Sequence, residues 1–335
     1  MRSTARYKKS IYLAVLALLP LMFAGNAQGQ ALAGTPVAKY IGADAYHDPA
    51  WSPVDNPSSK YYLDPQSEKF FYLYNATTKG LPSSDADPTS AFKIPGCGAM
   101  SGSSYVYPTS TLCIIVWNYA ASKDGSDLQS FLESTLSDPH QIVMAFCNEP
   151  EFHVTSTGCY CDLTGTPKAC GGAYNFKQQF AAESAYIMNF EKTNKATNVH
   201  VAEISGVRHY TAAHPSCFFI VPPQEVNYYL ADVYEPDHKS DANLGANPDW
   251  NRWMKCTSFP GSGVDRGISE YGIDCGNEHW RQGHVAGTFA ADDTYLRNNM
   301  PDMVVWNIWD VGGCAINATE EPPSVAAWLN IAAGN

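Results

Sequence analysis

The sequence predicts an α/β fold with one parallel sheet, and its size and strand count favour a single (β/α)8 (TIM) barrel. Short apolar runs alternate with stretches of helical pattern from Ala38 onward, which is typical of βα units. The runs are almost wholly apolar, as expected of strands that are covered on both faces. A chain of 335 residues suits one large domain, and no linker rich in Pro, Ser or Gly divides it.

The N-terminal segment is typical of a signal peptide. Four basic residues within the first nine positions precede an apolar run from 11 to 24. This run is too short to span a bilayer about 30 Å thick, and the small residues after it suit peptidase cleavage. We therefore expect residues 1–30 to be removed and residues 31–335 to form the barrel of a secreted or periplasmic protein without membrane attachment. A retained N-terminal anchor is the alternative.

Seven strands of the barrel can be assigned from apolar runs, which are Tyr40–Tyr46, Leu112–Trp117, Gln141–Cys147, His200–Val207, Tyr229–Tyr234, Arg266–Tyr271 and Met303–Trp309. The second strand of eight is expected between Lys69 and Val106, where no run stands out. Helices are predicted between the strands at Ser126–Leu136, Asn175–Lys195, Trp250–Thr257, His284–Asn298 and Ser324–Ala333.

An open, doubly wound sheet is the alternative topology. Such sheets usually carry a Gly-rich nucleotide-binding loop after the first strand, and Gly42-Ala43-Asp44-Ala45 is not such a loop. The spacing of the later strands therefore favours the barrel.

Charge and motif content exclude several function classes. The formal net charge is −12, and loss of the basic leader would make the chain still more acidic, so nucleic acid is not expected as a partner. The chain contains no Gly-x-Ser-x-Gly elbow and no His-Glu-x-x-His helix. We expect no cofactor, no catalytic metal and a monomer.

All ten cysteines lie after the leader, so we expect long loops that carry disulfides. Cys159, Cys161 and Cys170 cluster near His153, where a zinc site is the alternative to a local disulfide. An oxidising compartment favours the disulfide. Cys275 and Cys314 are predicted to pair because both follow strands that adjoin in a barrel.

Two glutamates stand where apolar strands end. The fourth predicted strand ends in Asn148-Glu149-Pro150, and the seventh ends in Glu270-Tyr271-Gly272. Active sites of these barrels lie at the C-terminal ends of the strands. The 121 positions from Glu149 to Glu270 accommodate three βα units of about 40 residues each. The two carboxyls are therefore predicted to face each other across the barrel mouth.

These strand ends, together with the Trp-rich last strand from Val304 to Asp310, resemble clan A of the glycoside hydrolases, which includes cellulase-like, mannanase-like and xylanase-like families. The resemblance extends from about Leu112 to the C terminus, and residues 48–110 match no family pattern. It implies a secreted retaining enzyme that cleaves β-linked polysaccharide or oligosaccharide in the manner of an endo-β-glycanase. Glu149 would be its general acid/base and Glu270 its nucleophile.

The resemblance also implies substrate-binding residues. Asn148 would hydrogen-bond the 2-hydroxyl of the sugar at the cleavage point, and Tyr234 would hold the nucleophile through its hydroxyl. Trp306 or Trp309 would form the platform beneath that sugar, although both suit a core position equally well. Strand ends nominate further residues for the cleft, which are Trp117, Asn118, Arg208, His209 and Tyr210.

Three alternatives accompany this interpretation. Other carboxylates close to the strand ends are expected to be structural, namely Glu151, Glu203 and Glu235. A barrel that binds carbohydrate or cell-wall material without cleaving it is the alternative function, since the region before Leu112 lacks the expected substrate-binding pattern. An exported hydrolase with an unrelated acid or metal mechanism is a third hypothesis.

Overall fold

The structure is a computed structural model, and it describes residues 38–44, 67–72, 109–117, 126–153, 159, 161, 169–209, 217–235, 243–273, 284–301, 303–309 and 322–334. The predicted signal peptide, Asn118, Tyr210 and the predicted Cys275–Cys314 pair lie outside these residues. The backbones of His209, Glu235 and Trp309 are described, whereas their side chains are not.

Eight parallel strands pair in chain order, and the first strand also pairs with the last, so the sheet closes into a barrel. The predicted α/β class with parallel strands is confirmed. The strands are β1 Tyr40–Asp44, β2 Ser67–Tyr72, β3 Leu112–Trp117, β4 Gln141–Phe146, β5 Val199–Gly206, β6 Tyr228–Glu235, β7 Asp265–Ile273 and β8 Met303–Trp309.

The second strand, which the sequence left unplaced, begins two residues before the predicted interval. β2 runs in register with all six residues of β3, from Ser67 opposite Leu112 to Tyr72 opposite Trp117. Only its Phe-Phe-Tyr end is apolar, which is why no run stood out.

Helices follow most of the later strands at nearly the predicted positions. They are α1 Ser126–Thr135, α2 Pro150–His153, α3 Ala173–Asn194, α4 Pro248–Cys256, α5 His284–Asn299 and α6 Pro322–Ala332. The start of α4 shows how local sequence fixes a boundary. The Asn247 side chain accepts hydrogen bonds from the backbone N–H groups of Asp249 and Trp250, and Pro248 occupies the first helical position.

The described core has two layers, because strand side chains alternate between the lumen and the helices. We call the lumen layer the inner core, and it contains strand residues only, among them Ile114, Val143, Ile204, Leu230 and Val305. The outer core joins the other strand faces to the helices, and it includes Trp117, Phe146, Phe176, Tyr271, Trp306 and Trp328. The packed lumen leaves the strand ends as the place for a ligand.

β7 and β8 approach each other closely at Gly267. A Cβ at this position would lie 2.7 Å from a Val305 methyl carbon and 2.9 Å from the Val305 carbonyl oxygen. Only glycine fits there without displacing β8, so the sequence fixes the spacing of the strand that carries Glu270.

Disulfides join Cys147 to Cys159, Cys161 to Cys170 and Cys217 to Cys256. The prediction of local disulfides at the first cluster is confirmed, since each of its three cysteines is paired in a disulfide. Among the helices that the structure describes, none is both long and apolar enough to cross a membrane.

Candidate active site

The turn that follows β4 has an unusual backbone. β4 is buried up to Phe146, and the next three residues bend away before Pro150 starts α2. Cys147 and Glu149 have positive φ angles of 64° and 44°. This left-handed conformation costs roughly 1–2 kcal/mol for residues other than glycine. Such positions persist only where the surroundings enforce them, and they cluster at functional sites.

The surroundings of this turn are two neighbouring strands. The Cys147 N–H donates to the Trp117 carbonyl of β3 at 2.7 Å, and the Glu149 N–H donates to the Ile204 carbonyl of β5 at 3.1 Å. The turn therefore bridges the strands on either side of β4. Glu149 and Asn148 are both partly exposed at the carboxyl end of the barrel, while Oε1 of Glu149 is buried.

A β-bulge in β7 turns Glu270 toward the lumen. Ala231 of β6 pairs with Ile268, but the next residue, Asp232, pairs with Glu270, so Ser269 is an extra residue in β7. Ile268 faces the outer core and strict alternation would return Glu270 to that side. The bulge shifts the alternation by one position, which is a common device beside active sites.

Side-chain contacts confirm the direction of both bulge residues. The Ser269 hydroxyl donates to the Asp232 carboxylate at 2.6 Å, and the Tyr234 hydroxyl donates to Glu270 Oε2 at 2.5 Å. Asp232 and Tyr234 lie on the same face of β6 as Leu230 of the inner core. The Glu270 carboxyl is thus held against β6, with 4% of the residue exposed.

Tyr234 links the two glutamates electrostatically. Burial raises the pKa of its phenol, and so do the negative charges of Glu270, Asp232 and Glu149. Both glutamates therefore lie within electrostatic reach of one hydroxyl, although they are 121 positions apart in the chain. Because the pKa is raised, the phenol remains a donor to Glu270 throughout the neutral range.

Two predicted cleft residues lie elsewhere, and these predictions are corrected. Trp306 is fully buried in the outer core, where its ring meets the rings of Tyr271 at 5.5 Å and Trp328 at 5.2 Å. Trp117 is also fully buried there, with its ring 5.8 Å from that of Phe146. Strand alternation gives the reason, because each neighbours an inner-core residue and so faces the helices.

Trp309 differs from Trp306 by three positions in β8. Val305 belongs to the inner core, and Asn307 and Trp309 occupy positions of the same parity. The backbone of Trp309 pairs with that of Asp44 at the end of β1.

His209 ends the short 3-10 helix Val207–His209 directly after β5, beside the exposed Arg208.

Two of the competing carboxylates have structural partners. Glu203 faces the helices, where it accepts hydrogen bonds from the Val221 N–H at 2.8 Å and the Ser205 hydroxyl at 3.2 Å. Glu151 accepts from the Gly206 N–H at 3.2 Å, which ties α2 to β5. Burial raises the pKa of Glu203 well above its usual value.

Sequence reasoning missed Asp232 and Ser269. Asp232 is 1% exposed and lies two residues before Tyr234, so the period of two on β6 was a signal that could have found it. The bulge that brings Ser269 inward leaves no such signal. No group of three or more potential metal ligands occurs among the residues described.

No family model matches the sequence, and no curated protein is similar enough to match it. Among solved structures, GH26C from Muricauda sp. matches with a TM-score of 0.51 and 12% identity over 88% of this chain and 85% of its own. An endo-β-1,4-mannanase double mutant from Cellulomonas fimi matches with a TM-score of 0.50 and 8% identity over 89% and 72%.

A modular endo-β-1,4-mannanase from Cellulomonas fimi matches with a TM-score of 0.45 and 10% identity, over 66% of this chain and 54% of its own. The resemblance to glycoside hydrolases of clan A is thereby confirmed at the level of the fold.

Proposed function

We propose that this protein is a retaining glycoside hydrolase that cleaves β-linked polysaccharide, with Glu149 as general acid/base and Glu270 as nucleophile. The single observation that carries the proposal is the shared environment of Tyr234. Its hydroxyl holds the Glu270 carboxyl at 2.5 Å, and the charges of both Glu270 and Glu149 raise its pKa. Two carboxyls that act on one buried hydroxyl at the strand ends of a barrel suit a glycosidase pair.

The proposed reaction has two steps. The Glu270 carboxylate attacks the anomeric carbon while protonated Glu149 gives its proton to the departing oxygen, which leaves a covalent glycosyl-enzyme. Glu149, now a carboxylate, takes a proton from a water molecule that attacks the same carbon and frees Glu270. We expect the two carboxyls to stand about 5–5.5 Å apart, as this mechanism requires.

The hydrogen bond from Tyr234 supports the role of Glu270. A donor at one carboxylate oxygen fixes the orientation of the other oxygen for attack. Partial exposure of Glu149 supports its different role, since an acid/base exchanges its proton with substrate and water.

Two more residues are assigned to substrate binding in this proposal. Asn148 precedes the acid/base in a partly exposed position and would bind the 2-hydroxyl of the sugar at the cleavage point. Trp309, whose strand position has the parity of the inner core, would be the platform beneath that sugar, and Trp306 would not.

β-1,4-Mannan is the first substrate to test, because two of the matched structures bear the name endo-β-1,4-mannanase. The disulfides favour an exported protein, since such bonds persist mainly in oxidising compartments. We propose that the chain acts outside the cytosol.

The experiment measures reducing-sugar release from mannan, xylan, β-glucan and galactan by the purified protein, by Glu149→Gln and by Glu270→Gln. Glu191→Gln is the matched control, because Glu191 lies on α3, away from the strand ends. We expect hydrolysis of at least one glycan, loss of activity in the first two variants and full activity in the control. Full activity of Glu270→Gln would refute the proposed nucleophile, and glycan binding without turnover would favour the non-catalytic alternative.

A further inference from the structure

We infer that the Cys147–Cys159 disulfide is a positioning element for Glu149, and this inference rests on the proposed role of Glu149 as acid/base. Cys147 is the first residue after β4 and precedes Glu149 by two positions. Both cysteines are buried, with at most 1% of either residue exposed. The bond therefore fixes the root of the turn that carries the candidate acid/base.

The backbone of Cys147 shows what the bond holds. Its φ angle of 64° lies in the left-handed region, which turns the chain out of the strand direction immediately after Phe146. A residue other than glycine does not keep a left-handed backbone conformation unless its surroundings hold it there. Here the disulfide and the hydrogen bond from its N–H to the Trp117 carbonyl, at 2.7 Å, enforce it together. Relaxation of Cys147 to an extended backbone would redirect Asn148 and Glu149.

The far end of the bond is anchored as well. The Cys170 N–H donates to the Cys159 carbonyl at 3.1 Å, and Cys170 forms the second disulfide with Cys161. The Asn175 side chain of α3 donates to the Cys170 carbonyl at 2.8 Å. Cys147 is therefore connected to α3 through Cys159, Cys170 and Asn175. These contacts hold Cys159 in place, so Cys159 would not follow a displacement of the turn.

The third disulfide provides a matched comparison. Cys217–Cys256 closes 39 positions of chain, against 12 for Cys147–Cys159, and joins the segment before β6 to the end of α4. Neither of its cysteines adjoins a candidate catalytic residue. Because stabilisation by a crosslink grows with the length of the closed loop, removal of Cys217–Cys256 should cost at least as much stability. Loss of Cys147–Cys159 should therefore have the larger effect on activity, whereas loss of Cys217–Cys256 should have at least as large an effect on stability.

The experiment compares Cys147→Ala/Cys159→Ala with Cys217→Ala/Cys256→Ala in the full chain. The substrates are β-1,4-mannan and 2,4-dinitrophenyl β-mannobioside, or the corresponding pair for the glycan that the wild type hydrolyses. We expect the first variant to lose about 10–100-fold in kcat on the polysaccharide with little change in KM. The loss should shrink in the glycosylation step of the dinitrophenyl glycoside, whose leaving group needs no proton. The second variant should keep its kcat although its melting temperature falls at least as far.

A third variant, Cys147→Gly/Cys159→Ala, tests the backbone argument and remains informative if the alanine variant fails to fold. Glycine adopts a positive φ without strain, so this variant should regain part of the lost kcat. Two results would overturn the inference: a kcat within twofold of wild type in Cys147→Ala/Cys159→Ala, or equal losses of kcat in the two disulfide variants. The proposed function would still stand in that case if Glu149→Gln is inactive. Full activity of Glu149→Gln would overturn both.

Discussion

The two candidate catalytic strands end in different ways. After β4 the main chain sets the direction of Glu149, through two left-handed residues, hydrogen bonds to β3 and β5, and a disulfide at Cys147. After β7 a bulge turns Glu270 inward, and a hydrogen bond from Tyr234 fixes the carboxyl itself.

The difference matches what each group would do in the proposed reaction. A nucleophile must align one oxygen with one carbon, which a held and almost fully buried carboxyl achieves. An acid/base must first reach the departing oxygen and then a water molecule, and a fixed backbone keeps its carboxyl within reach of both.

Glu270→Gln should show the largest effect, because it removes the proposed nucleophile and with it the covalent intermediate. We expect kcat to fall by roughly 10⁴–10⁶-fold, as for removal of a nucleophile in other enzymes. Steady-state hydrolysis of the best glycan in the panel measures it. A loss of less than tenfold would mean that another carboxylate, such as Asp232, attacks the sugar.

Glu149→Gln should come next, with a kcat on polysaccharide about 10²–10⁴-fold below wild type. The loss should nearly vanish in the glycosylation step of a dinitrophenyl glycoside, because its leaving group departs without a proton. Pre-steady-state release of dinitrophenol measures that step. An equal loss on both substrates would contradict acid catalysis by Glu149.

Tyr234→Phe removes the donor to Glu270, and a hydrogen bond to a charged group contributes about 1.5–3 kcal/mol. We expect kcat to fall about 10–100-fold. Tyr229→Phe is the matched control on the same strand, since its hydroxyl donates to the Val221 carbonyl at 2.7 Å on the outer face. The control should lower the melting temperature and leave kcat unchanged. The opposite pattern would remove Tyr234 from the site.

The two tryptophans of β8 should separate binding from stability. Trp309→Ala should raise KM about 2–10-fold through loss of an aromatic contact with the sugar. Trp306→Phe should leave KM unchanged and destabilise the fold by roughly 0.5–3 kcal/mol, because the ring packs against Tyr271 and Trp328. Thermal unfolding and Michaelis–Menten curves test this pair, and a raised KM in Trp306→Phe alone would reverse the assignment.

Glu203→Gln should have the smallest effect on activity and a specific effect on stability. The folded protein retains the Glu203 proton above its usual pKa of 4.5, where the unfolded chain has lost it. Stability of the wild type should therefore fall as the pH rises above about 4.5. A glutamine does not titrate, so the difference in free energy of unfolding between the wild type and Glu203→Gln should become smaller from pH 5 to pH 8. Urea unfolding measures this difference. A constant difference would contradict the raised pKa.

Much of this molecule follows from its sequence, because the strands of a covered parallel sheet are apolar and end in polar residues. That pattern located Glu149 and Glu270 and gave β3 and β8 their observed bounds. It was harder to predict which face of a strand each side chain occupies and how neighbouring strands align. Trp117 was predicted from its position at a strand end and Trp306 from the family resemblance, but alternation directs both toward the helices.

The remaining features depend on contacts distant in the chain. The bulge at Ser269 is visible only in the pairing of β7 with β6, and the pairing of Cys147 with Cys159 was not readable from spacing. β2 lacked a clear signal because its apolar part is only three residues long.

The central claim is that Glu270 attacks the sugar while Glu149 supplies and removes the proton. A 2-deoxy-2-fluoro-β-glycosyl fluoride of the sugar that the enzyme hydrolyses traps the covalent intermediate, and mass spectrometry of the digested protein locates it. We predict one fluoro-sugar on the peptide that contains Glu270, and none in Glu270→Gln. A label on a different carboxylate, or first release of the inverted anomer with no label, would contradict the account.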